Sequence, residues 1–376
     1  MVLALAAVLC AAAGISAAGT AAAGPAKPWL APGQPIAARV AALLAQMTPQ
    51  EKHSQLQYWC PQSMNWSSTN YAGTGVGSVG IECSGELGDA MQCDIACRIA
   101  TLRQFQLDAI NQTRLGIPVT FVIETSHSGA AGGVSSPTRC LYRVHSTGLF
   151  LTDSFMFVIM QAVFPMGVTQ GSSWNTSAVG AVARAIALEA RSWGGSRGLS
   201  PEISVVTDQR FGRTEENYAG DPLLATKMAE AAVVGLQGGE QPPTEYLPTP
   251  NASVAAEAKH CCAYGFSGLD GGAADLSEKT LHDIYLKPWR AFVRKGGSGV
   301  MMSHNEINGM PMHANADFMK HLFRETWNYT GFFHSDFGNV GWLQNSRIAG
   351  NLTHAAGLAL AAGVDQTFMD GGECLQ

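Results

Sequence analysis

Residues 116–124 have the sequence GIPVTFVIE, an apolar run that follows a glycine and ends on the acid Glu124. Residues 299–303 (GVMMS) and 331–335 (GFFHS) have the same form, a few apolar residues followed by polar ones. Short continuous apolar runs are typical of strands that are buried on both faces, as in a parallel sheet. These runs therefore predict three strands of one parallel sheet, each followed by polar groups.

Helical patterns alternate with these runs. Residues 177–193 predict a helix whose apolar stripe is formed by Val179, Val182, Ile186 and Ala190. Residues 202–207 predict a further short strand, Asp221-Pro222 caps a second helix, and Ser277 begins a third. Alternating strands and helices predict an α/β protein, and 376 residues of which 46% are apolar suffice for a single-domain (β/α)8 barrel of the TIM type.

Charge and composition exclude several classes of function. The chain has 23 Lys+Arg against 29 Asp+Glu and no basic run, so no nucleic-acid partner is expected. After the first residues, no apolar stretch is long enough to span a membrane. The glycine-rich residues 75–80 do not follow an apolar strand and have no acid at the distance expected for a dinucleotide site, so no such site is expected there. The glycines of residues 194–198 follow a predicted helix and predict a helix-ending loop. Cys261-Cys262 predict packing residues, so neither metal nor cofactor is expected.

The N-terminus predicts export. Residues 1–24 carry no charge and contain an apolar block followed by small residues, which favours a secretory signal peptide over an alanine-rich leader. Glycosylation sequons of the Asn-x-Ser/Thr type occur at Asn65, Asn111, Asn175, Asn251, Asn328 and Asn351. We therefore expect a secreted glycoprotein in which residues 25–376 form the barrel domain.

Ionisable side chains follow the predicted strands and point to sugar chemistry. They lie in the segments IETSH (123–127), FGRTEE (211–216), AKH (258–260) and HSDF (334–337). The C-terminal ends of barrel strands hold the active site, so these groups are expected to meet at one rim. Arginine, lysine, histidine and two carboxylates together suit a neutral polyhydroxylated ligand. A retaining glycosidase uses one carboxylate as nucleophile and a second carboxyl group about 5–5.5 Å away as acid/base.

Seven blocks in the order of the chain resemble glycoside hydrolase family 3, which contains β-glucosidases and β-xylosidases. They are ARVAALLAQMTPQEKHSQL, GIPVTFVIETSHSGA, FPMGVTQGSSWNTS, DQRFGRTEENYAGDP, AKHCCAYG, VMMSHNEINGMP and HSDFGNV, between about residues 36 and 370. The resemblance implies the first, barrel domain of that family and a β-linked glycoside or oligosaccharide as substrate. It makes Asp336 the nucleophile, Lys259, His260 and Arg213 the residues that hold the sugar, and Glu124 a ligand of its ring hydroxyls.

The sequence departs from the family pattern in three places. No residue matches the acid/base glutamate that the family usually carries in a second, α/β sandwich domain. His304 stands where a tyrosine commonly binds the nucleophile, and residues 139–161 are an atypical insertion. A non-catalytic sugar-binding protein or a truncated family member is therefore the alternative to a glycosidase.

Individual residues also have structural interpretations. Asp336 could cap a turn, Lys259-His260 could be a solvated pair, and Arg213 could form an ion pair with Glu216.

Overall fold

The computed structural model describes residues 27–59, 71–81, 95–127, 163–192, 194–240 and 253–368. The predicted leader (1–24) and insertion (139–161) lie outside these residues, as do the sequons at Asn65 and Asn251. The chain divides into two compact units, Met1–Met47 and Thr48–Gln376.

The first unit contains a short 3-10 helix and one α-helix. They are Pro28–Leu30 and Ile36–Leu44. Arg39 Nε donates a hydrogen bond of 2.7 Å to the carbonyl of Trp29, which fastens the two helices to each other.

The second unit is built on eight parallel strands and a small antiparallel hairpin. In chain order the strands are β1 (Gln57–Trp59), β2 (Ser78–Gly80), β3 (Thr120–Ile123), β4 (Arg197–Gly198), β5 (Ala255–Cys261), β6 (Gly299–Met302), β7 (Glu306–Ile307), β8 (Met310–Pro311), β9 (Phe332–His334) and β10 (Thr367–Phe368). The large sheet has the order β10-β1-β2-β3-β4-β5-β6-β9, and β7 pairs with β8.

The two edge strands of the large sheet meet. The amide of Ser335 donates to the carbonyl of Gln366 (2.9 Å), and the amide of Gln366 donates to the carbonyl of Phe333 (3.1 Å). Because these bonds join the end of β9 to the start of β10, the sheet is a nearly closed barrel. The predicted α/β barrel fold is confirmed.

Helices lie between the strands. They are Pro49–Gln55, Ile95–Gln112, Gly167–Ser172, Thr176–Ser192, Pro222–Gln237, Lys287–Arg294, Asn339–Asn345 and Leu352–Ala362, with wider π-helical turns at Leu281–Tyr285 and Asp317–Thr326. The predicted stripe of Thr176–Ser192 packs inward, with Val179, Ile186 and Ala190 buried. Asp221 caps its helix by accepting from the amide of Leu224 (2.7 Å). None of the described helices is long and apolar enough to cross a membrane.

Two expectations for the strands were wrong. Residues 202–207 form no strand, because only Glu202 makes a ladder contact, a single bridge to Lys259. The predicted helix-ending loop at residues 194–198 instead contains β4, formed by Arg197 and Gly198. A strand of only two residues, one of them the charged Arg197, has no apolar periodicity that a sequence pattern could detect. Cys261 and Cys262, predicted as packing residues, are fully buried and joined by a disulfide.

Candidate active site

The candidate residues lie at one rim of the barrel because each belongs to the C-terminal end of a strand. Glu124 follows β3, Lys259 and His260 lie near the end of β5, His304 follows β6, and Asp336 follows β9. Parallel strands direct these ends to the same side of the sheet. The structure therefore brings together residues that are up to 212 positions apart in the sequence, from Glu124 to Asp336.

Asp336 is buried at the centre of this rim, with 6% of its surface exposed. Its Oδ1 accepts from the amide of Phe337 (2.7 Å), and its own amide donates to Nε2 of His313 (3.0 Å). Its Oδ2 lies 2.9 Å from Nε2 of His304 and 3.6 Å from Nε2 of His260. Burial alone raises the pKa of Asp336, but the hydrogen bond from His304, the nearby His260 and the amide of Phe337 together outweigh it and hold the pKa well below its usual range. The carboxylate is therefore ionised.

His304 is the partner of this carboxylate. Burial lowers the pKa of His304, but its hydrogen bond to Asp336, the charge of that carboxylate and smaller contributions from Asn339 and Asp270 together outweigh burial, so the shift is upward. Its Nδ1 contacts the side-chain amide of Asn339. The amide nitrogen of Asn339 faces Nδ1 and donates to it, which places the ring N–H of His304 at Nε2, directed at Asp336. His304 and Asp336 thus form a hydrogen-bonded pair, and Asn339 fixes the ring.

Lys259 and Glu124 form the opposite side of the site. Lys259 Nζ lies 2.7 Å from Glu124 Oε2. The other oxygen of Glu124 accepts from the amides of Thr125 (2.9 Å) and Ser126 (3.0 Å) and from the Ser126 hydroxyl (2.7 Å). Burial lowers the pKa of Lys259, but the carboxylates of Glu124 and Glu202 raise it above its ordinary value. The lysine is a charged donor in a largely buried setting.

Glu202 is a site residue that the sequence analysis missed. It is 3% exposed, and its carboxylate lies 3.5 Å from Lys259 Nζ, 3.3 Å from His260 Nδ1 and 3.5 Å from Arg213 Nη2. The sequence pattern predicts a strand at residues 202–207, but it assigns no role to the acid Glu202 at the start of that segment. The available signal was a charged residue directly after Pro201 in an otherwise apolar run.

His260 is neutral in this setting. Burial and the nearby Arg213 lower the pKa of His260 to about 3. A neutral imidazole carries one N–H. The carboxylate of Glu202 beside Nδ1 favours the proton on that nitrogen, which leaves Nε2 as an acceptor on the side of Asp336.

Arg213 lies in the site and also forms the ion pair with Glu216 that was its alternative interpretation from the sequence. It donates to Glu216 twice, from Nε to Oε1 (3.0 Å) and from Nη2 to Oε2 (2.7 Å). Its Nη2 also lies 3.5 Å from His260 Nε2. Burial and the neighbouring Glu202 raise the pKa of Glu216 to about 7, against the opposing effect of Arg213. Arg213 therefore links the rim acids to the histidine next to Asp336.

His127, the tryptophans and the expected absence of a metal remain to be compared with the structure. His127 is 5% exposed, and burial lowers its pKa. Tryptophan rings can stack on sugars; Trp342 is 53% exposed, Trp59 is partly buried against the core, and Trp66 lies outside the described residues. In the described ranges, no group of three His, Cys, Asp or Glu side chains has an arrangement that would hold a metal ion.

Fold and site together define a (β/α)8 protein with a buried carboxylate at the C-terminal rim, a setting shared by many barrel enzymes. Residues 155–374 match the family model described as "Glycosyl hydrolase family 3 N terminal domain". The match covers more than half of the chain, which therefore belongs to glycoside hydrolase family 3.

Two relatives and one solved structure illustrate the similarity. A β-xylosidase of Formosa agariphila is 39% identical over 215 residues, 56% of this chain and 29% of that protein. A periplasmic β-glucosidase of Salmonella typhimurium is 32% identical over 212 residues, 56% of this chain and 27% of that protein. The structure of a β-glucosidase from Erythrobacter marinus has a TM-score of 0.72 at 27% identity, covering 90% of this chain and 41% of that one. The chain thus spans less than half the length of each.

Proposed function

We propose that this chain is a secreted, exo-acting retaining β-glycosidase that removes terminal β-D-xylosyl or β-D-glucosyl residues. The observation that carries the proposal is the ionised Asp336 at the barrel rim, surrounded by hydrogen-bonding groups. In this proposal Asp336 attacks the anomeric carbon and forms a covalent glycosyl-enzyme, which water then hydrolyses with net retention. The choice of sugars follows the names of the relatives, a β-xylosidase and β-glucosidases.

The groups around Asp336 are suited to sugar hydroxyls. Lys259 supplies charged donors, Glu124 supplies a carboxylate acceptor, and the neutral His260 supplies an acceptor at Nε2. Hydrogen bonds between charged groups and hydroxyls are stronger than neutral ones, and their mixed polarity matches a ligand that both donates and accepts. These side chains would fix the sugar ring with its anomeric carbon facing Asp336.

Secretion is part of the same proposal. It is supported by the uncharged, apolar residues 1–24 and by the sequons along the chain. Expression with the native N-terminus in a secretory host, followed by N-terminal sequencing of protein from the medium, tests it. Retention of residues 1–24 on a protein that stays inside the cell would contradict it.

One observation favours the alternative of a sugar-binding protein without turnover. His304 pairs with Asp336 at 2.9 Å, and a hydrogen bond from this imidazole lowers the nucleophilicity of the carboxylate that accepts it. Calorimetry then separates the two functions. Saturable binding of xylose or glucose without hydrolysis of any aryl glycoside supports the binding protein, and turnover supports the glycosidase.

The test of the glycosidase is hydrolysis of nitrophenyl β-xyloside and nitrophenyl β-glucoside by the purified chain. Replacing Asp336 with Ala or Asn is expected to lower the rate by about 10⁴-fold or more, because the nucleophile is lost. Asp317→Ala, which changes an exposed acid on an outer helix with 90% of its side chain accessible, is the matched control and should keep full activity.

A fluorosugar inhibitor tests the covalent step directly. The wild-type chain should be labelled on the peptide that contains Asp336, as seen by mass spectrometry after digestion. Labelling on another carboxylate, or undiminished hydrolysis by Asp336→Ala, would overturn the assignment of the nucleophile.

A further inference from the structure

The antiparallel hairpin of β7 and β8 lies in the chain between β6 and β9, two strands whose ends carry rim residues. Ile307 and Met310 face each other across the hairpin, so its turn consists of Asn308 and Gly309 alone. Both turn residues have positive φ, 50° and 80°, as in the type I′ turn for which Asn-Gly is the favoured pair. This tight turn brings the residues before the hairpin close to the residues after it.

Two histidines flank this hairpin, and both contact Asp336. His304, two positions before β7, lies with its Nε2 2.9 Å from the carboxylate oxygen Oδ2 of Asp336. His313, two positions after β8, accepts at its Nε2 the hydrogen bond of the Asp336 backbone amide (3.0 Å). One hairpin segment therefore holds the nucleophile twice, once at the side chain and once at the main chain.

The contact between His313 and the amide requires an uncharged imidazole. His313 is 3% exposed, and burial lowers its pKa to about 3. The charge of Asp336 opposes this effect, and those of His304 and His334 add to it. A neutral imidazole carries one N–H, so a ring that accepts at Nε2 has its proton on Nδ1. His313 therefore remains an acceptor for the Asp336 amide throughout the neutral pH range.

The hairpin segment is fastened to the end of β5, the strand that contributes two rim residues. Ser303 donates from its amide and from its hydroxyl to the carbonyl of Cys261, both at 2.7 Å. Asn305 Nδ2 donates to the carbonyl of Cys262 (3.3 Å), and the amide of Met312 donates to the carbonyl of Asn305 (3.3 Å). The residues that hold the nucleophile and the proposed sugar-binding residues of β5 thus belong to one hydrogen-bonded frame.

Two successive amides at the nucleophile have different acceptors. The amide of Asp336 donates to His313, and the amide of Phe337 donates to Oδ1 of Asp336 (2.7 Å). A buried amide that loses its acceptor bears the full cost of its desolvation, so without His313 the peptide would turn toward another acceptor. Such a rotation moves the carboxylate, and displacing a catalytic group by about 1 Å lowers a rate by about 10²-fold.

We propose that His313 is the positioning residue of the nucleophile, which it aims at the anomeric carbon by fixing the Asp336 peptide, an inference that rests on the proposed glycosidase function. With 3% of its surface exposed, His313 has almost no area for a ligand, so it acts through Asp336 and not on the sugar. The groups proposed to bind the sugar, Lys259, Glu124 and Arg213, make their hydrogen bonds elsewhere. Removing the acceptor should therefore slow the attack of Asp336 and leave the affinity for substrate nearly unchanged.

A pair of substitutions at His313 separates the hydrogen bond from the packing. His313→Gln keeps a side-chain carbonyl that can accept from the Asp336 amide, whereas His313→Leu has about the same size and no acceptor. For nitrophenyl β-xyloside we expect His313→Leu to lower kcat by about 10–100-fold with KM within about twofold, and His313→Gln to recover most of the loss. Packing alone predicts the opposite order, because glutamine adds a polar amide to a buried site. His282→Gln, on an outer turn with 51% of its side chain accessible, is the matched control and should keep full activity.

Covalent labelling measures the attack of Asp336 directly. A dinitrophenyl fluoroxyloside has a leaving group that departs without protonation, so its labelling rate reports on the nucleophile alone. At saturating reagent the rate should fall by about 10–100-fold in His313→Leu, while the reagent concentration for half-maximal rate stays within about twofold. A variant that is only less stable would label at the wild-type rate in its folded fraction.

Nitrogen NMR of the chain with isotopically labelled histidine tests the tautomer without any measurement of activity. The imidazole resonances that disappear in His313→Gln belong to His313. They should show Nδ1 protonated and Nε2 unprotonated between about pH 5 and pH 8. A proton on Nε2 in that range, or protonation of both nitrogens, would contradict the hydrogen bond from the Asp336 amide.

The outcomes separate this inference from the proposed function. If the wild type hydrolyses aryl glycosides and His313→Leu does so equally well, or no worse than His313→Gln, the positioning role is overturned while the glycosidase stands. A rise in KM with kcat unchanged would also overturn it, because His313 would then contribute to binding. If the wild type shows neither hydrolysis nor labelling, the proposed function fails, and the positioning role fails with it.

Discussion

The barrel holds two groups of charged side chains, one at the rim and one a layer below. The interior cluster consists of Arg197, Glu257 and His334. Glu257 precedes Lys259 by two positions on β5, and His334 precedes Asp336 by two, so these two interior residues lie on the same face of the chain as a rim residue. Both layers contain the same kinds of side chain, and they differ in contacts and access.

The interior cluster is closed on itself. Glu257 lies 2.8 Å from Arg197 Nε and 2.7 Å from His334 Nδ1, and Arg197 also donates to Gln366 (2.5 Å). None of the three is more than 4% exposed. Burial raises the pKa of Glu257, but Arg197 and His334 outweigh it and lower the pKa overall. The charges satisfy one another and leave no group directed at a ligand.

The rim is arranged differently. His304, Arg213 and Glu124 have 30%, 24% and 14% of their side chains exposed. A ligand can therefore replace water at the rim but cannot reach the interior cluster. The comparison indicates that the lower layer stabilises the barrel, whereas the upper layer is where the proposed chemistry takes place.

The interior cluster should give the largest effect on stability. Glu257→Ala leaves the guanidinium of Arg197 buried without its counter-charge, which we expect to cost about 3–5 kcal/mol of the free energy of unfolding. Denaturant unfolding followed by circular dichroism measures this. The double variant Arg197→Met with Glu257→Leu removes both charges and should recover most of the loss. If the single variant were as stable as the wild type, the cluster would have no structural role.

At the rim, Glu202→Gln should mainly affect activity. The substitution keeps the shape but removes the charge beside His260 Nδ1, so the imidazole is less firmly held in the tautomer with Nε2 unprotonated. We expect kcat/KM for nitrophenyl β-xyloside to fall by about 10–100-fold, the equivalent of one hydrogen bond to a charged group. Glu230→Gln, on an outer helix, is the control. A fall in stability without a fall in kcat/KM would show that Glu202 stabilises the fold, as the interior cluster does, and does not act in the proposed chemistry.

The contrast also explains what the sequence can predict. Asp336, Lys259 and His260 were identified from family blocks and from their expected place at strand ends, and the strands β3, β6 and β9 were predicted near their observed positions. Glu202 was not assigned to the site, since its proximity to Lys259, His260 and Arg213 depends on how the segment after β4 folds over the rim. Side-chain contacts between distant segments have no local pattern in the sequence.

The short strand β4 shows the same limit for the fold. Arg197 is buried by its pairing with Glu257, 60 residues later, and not by any apolar character of its own. A charged residue in a segment with three glycines, GGSRG (194–198), predicts a loop when it is considered locally. The strand exists because the neighbouring strands β3 and β5 supply its hydrogen bonds.

The pair of His304 and Asp336 should give a pH-dependent effect. The pKa of His304 is raised in the folded state, so its contribution to stability is fully present below its ordinary pKa of 6.5 and is lost as the pH rises through the raised value. His304→Gln should therefore remove part of the decline in stability above about pH 6.5, measured as thermal unfolding over pH 6 to 9. An identical pH dependence in wild type and variant would show that His304 is not held protonated by Asp336.

The smallest effect is expected far from both clusters, at the helix cap Asp221. Its side chain accepts from the amide of Leu224, and Asp221→Ala should cost about 1 kcal/mol of the free energy of unfolding because that amide loses its partner. Asp221→Asn should retain most of the stability, since an amide oxygen can also cap. Neither variant should change kcat/KM, because the cap fixes only the start of Pro222–Gln237. A change in kcat/KM would show that this helix helps to hold the rim in place. Charged groups that stabilise the fold would then also affect activity, in contrast to what the closed interior cluster indicates.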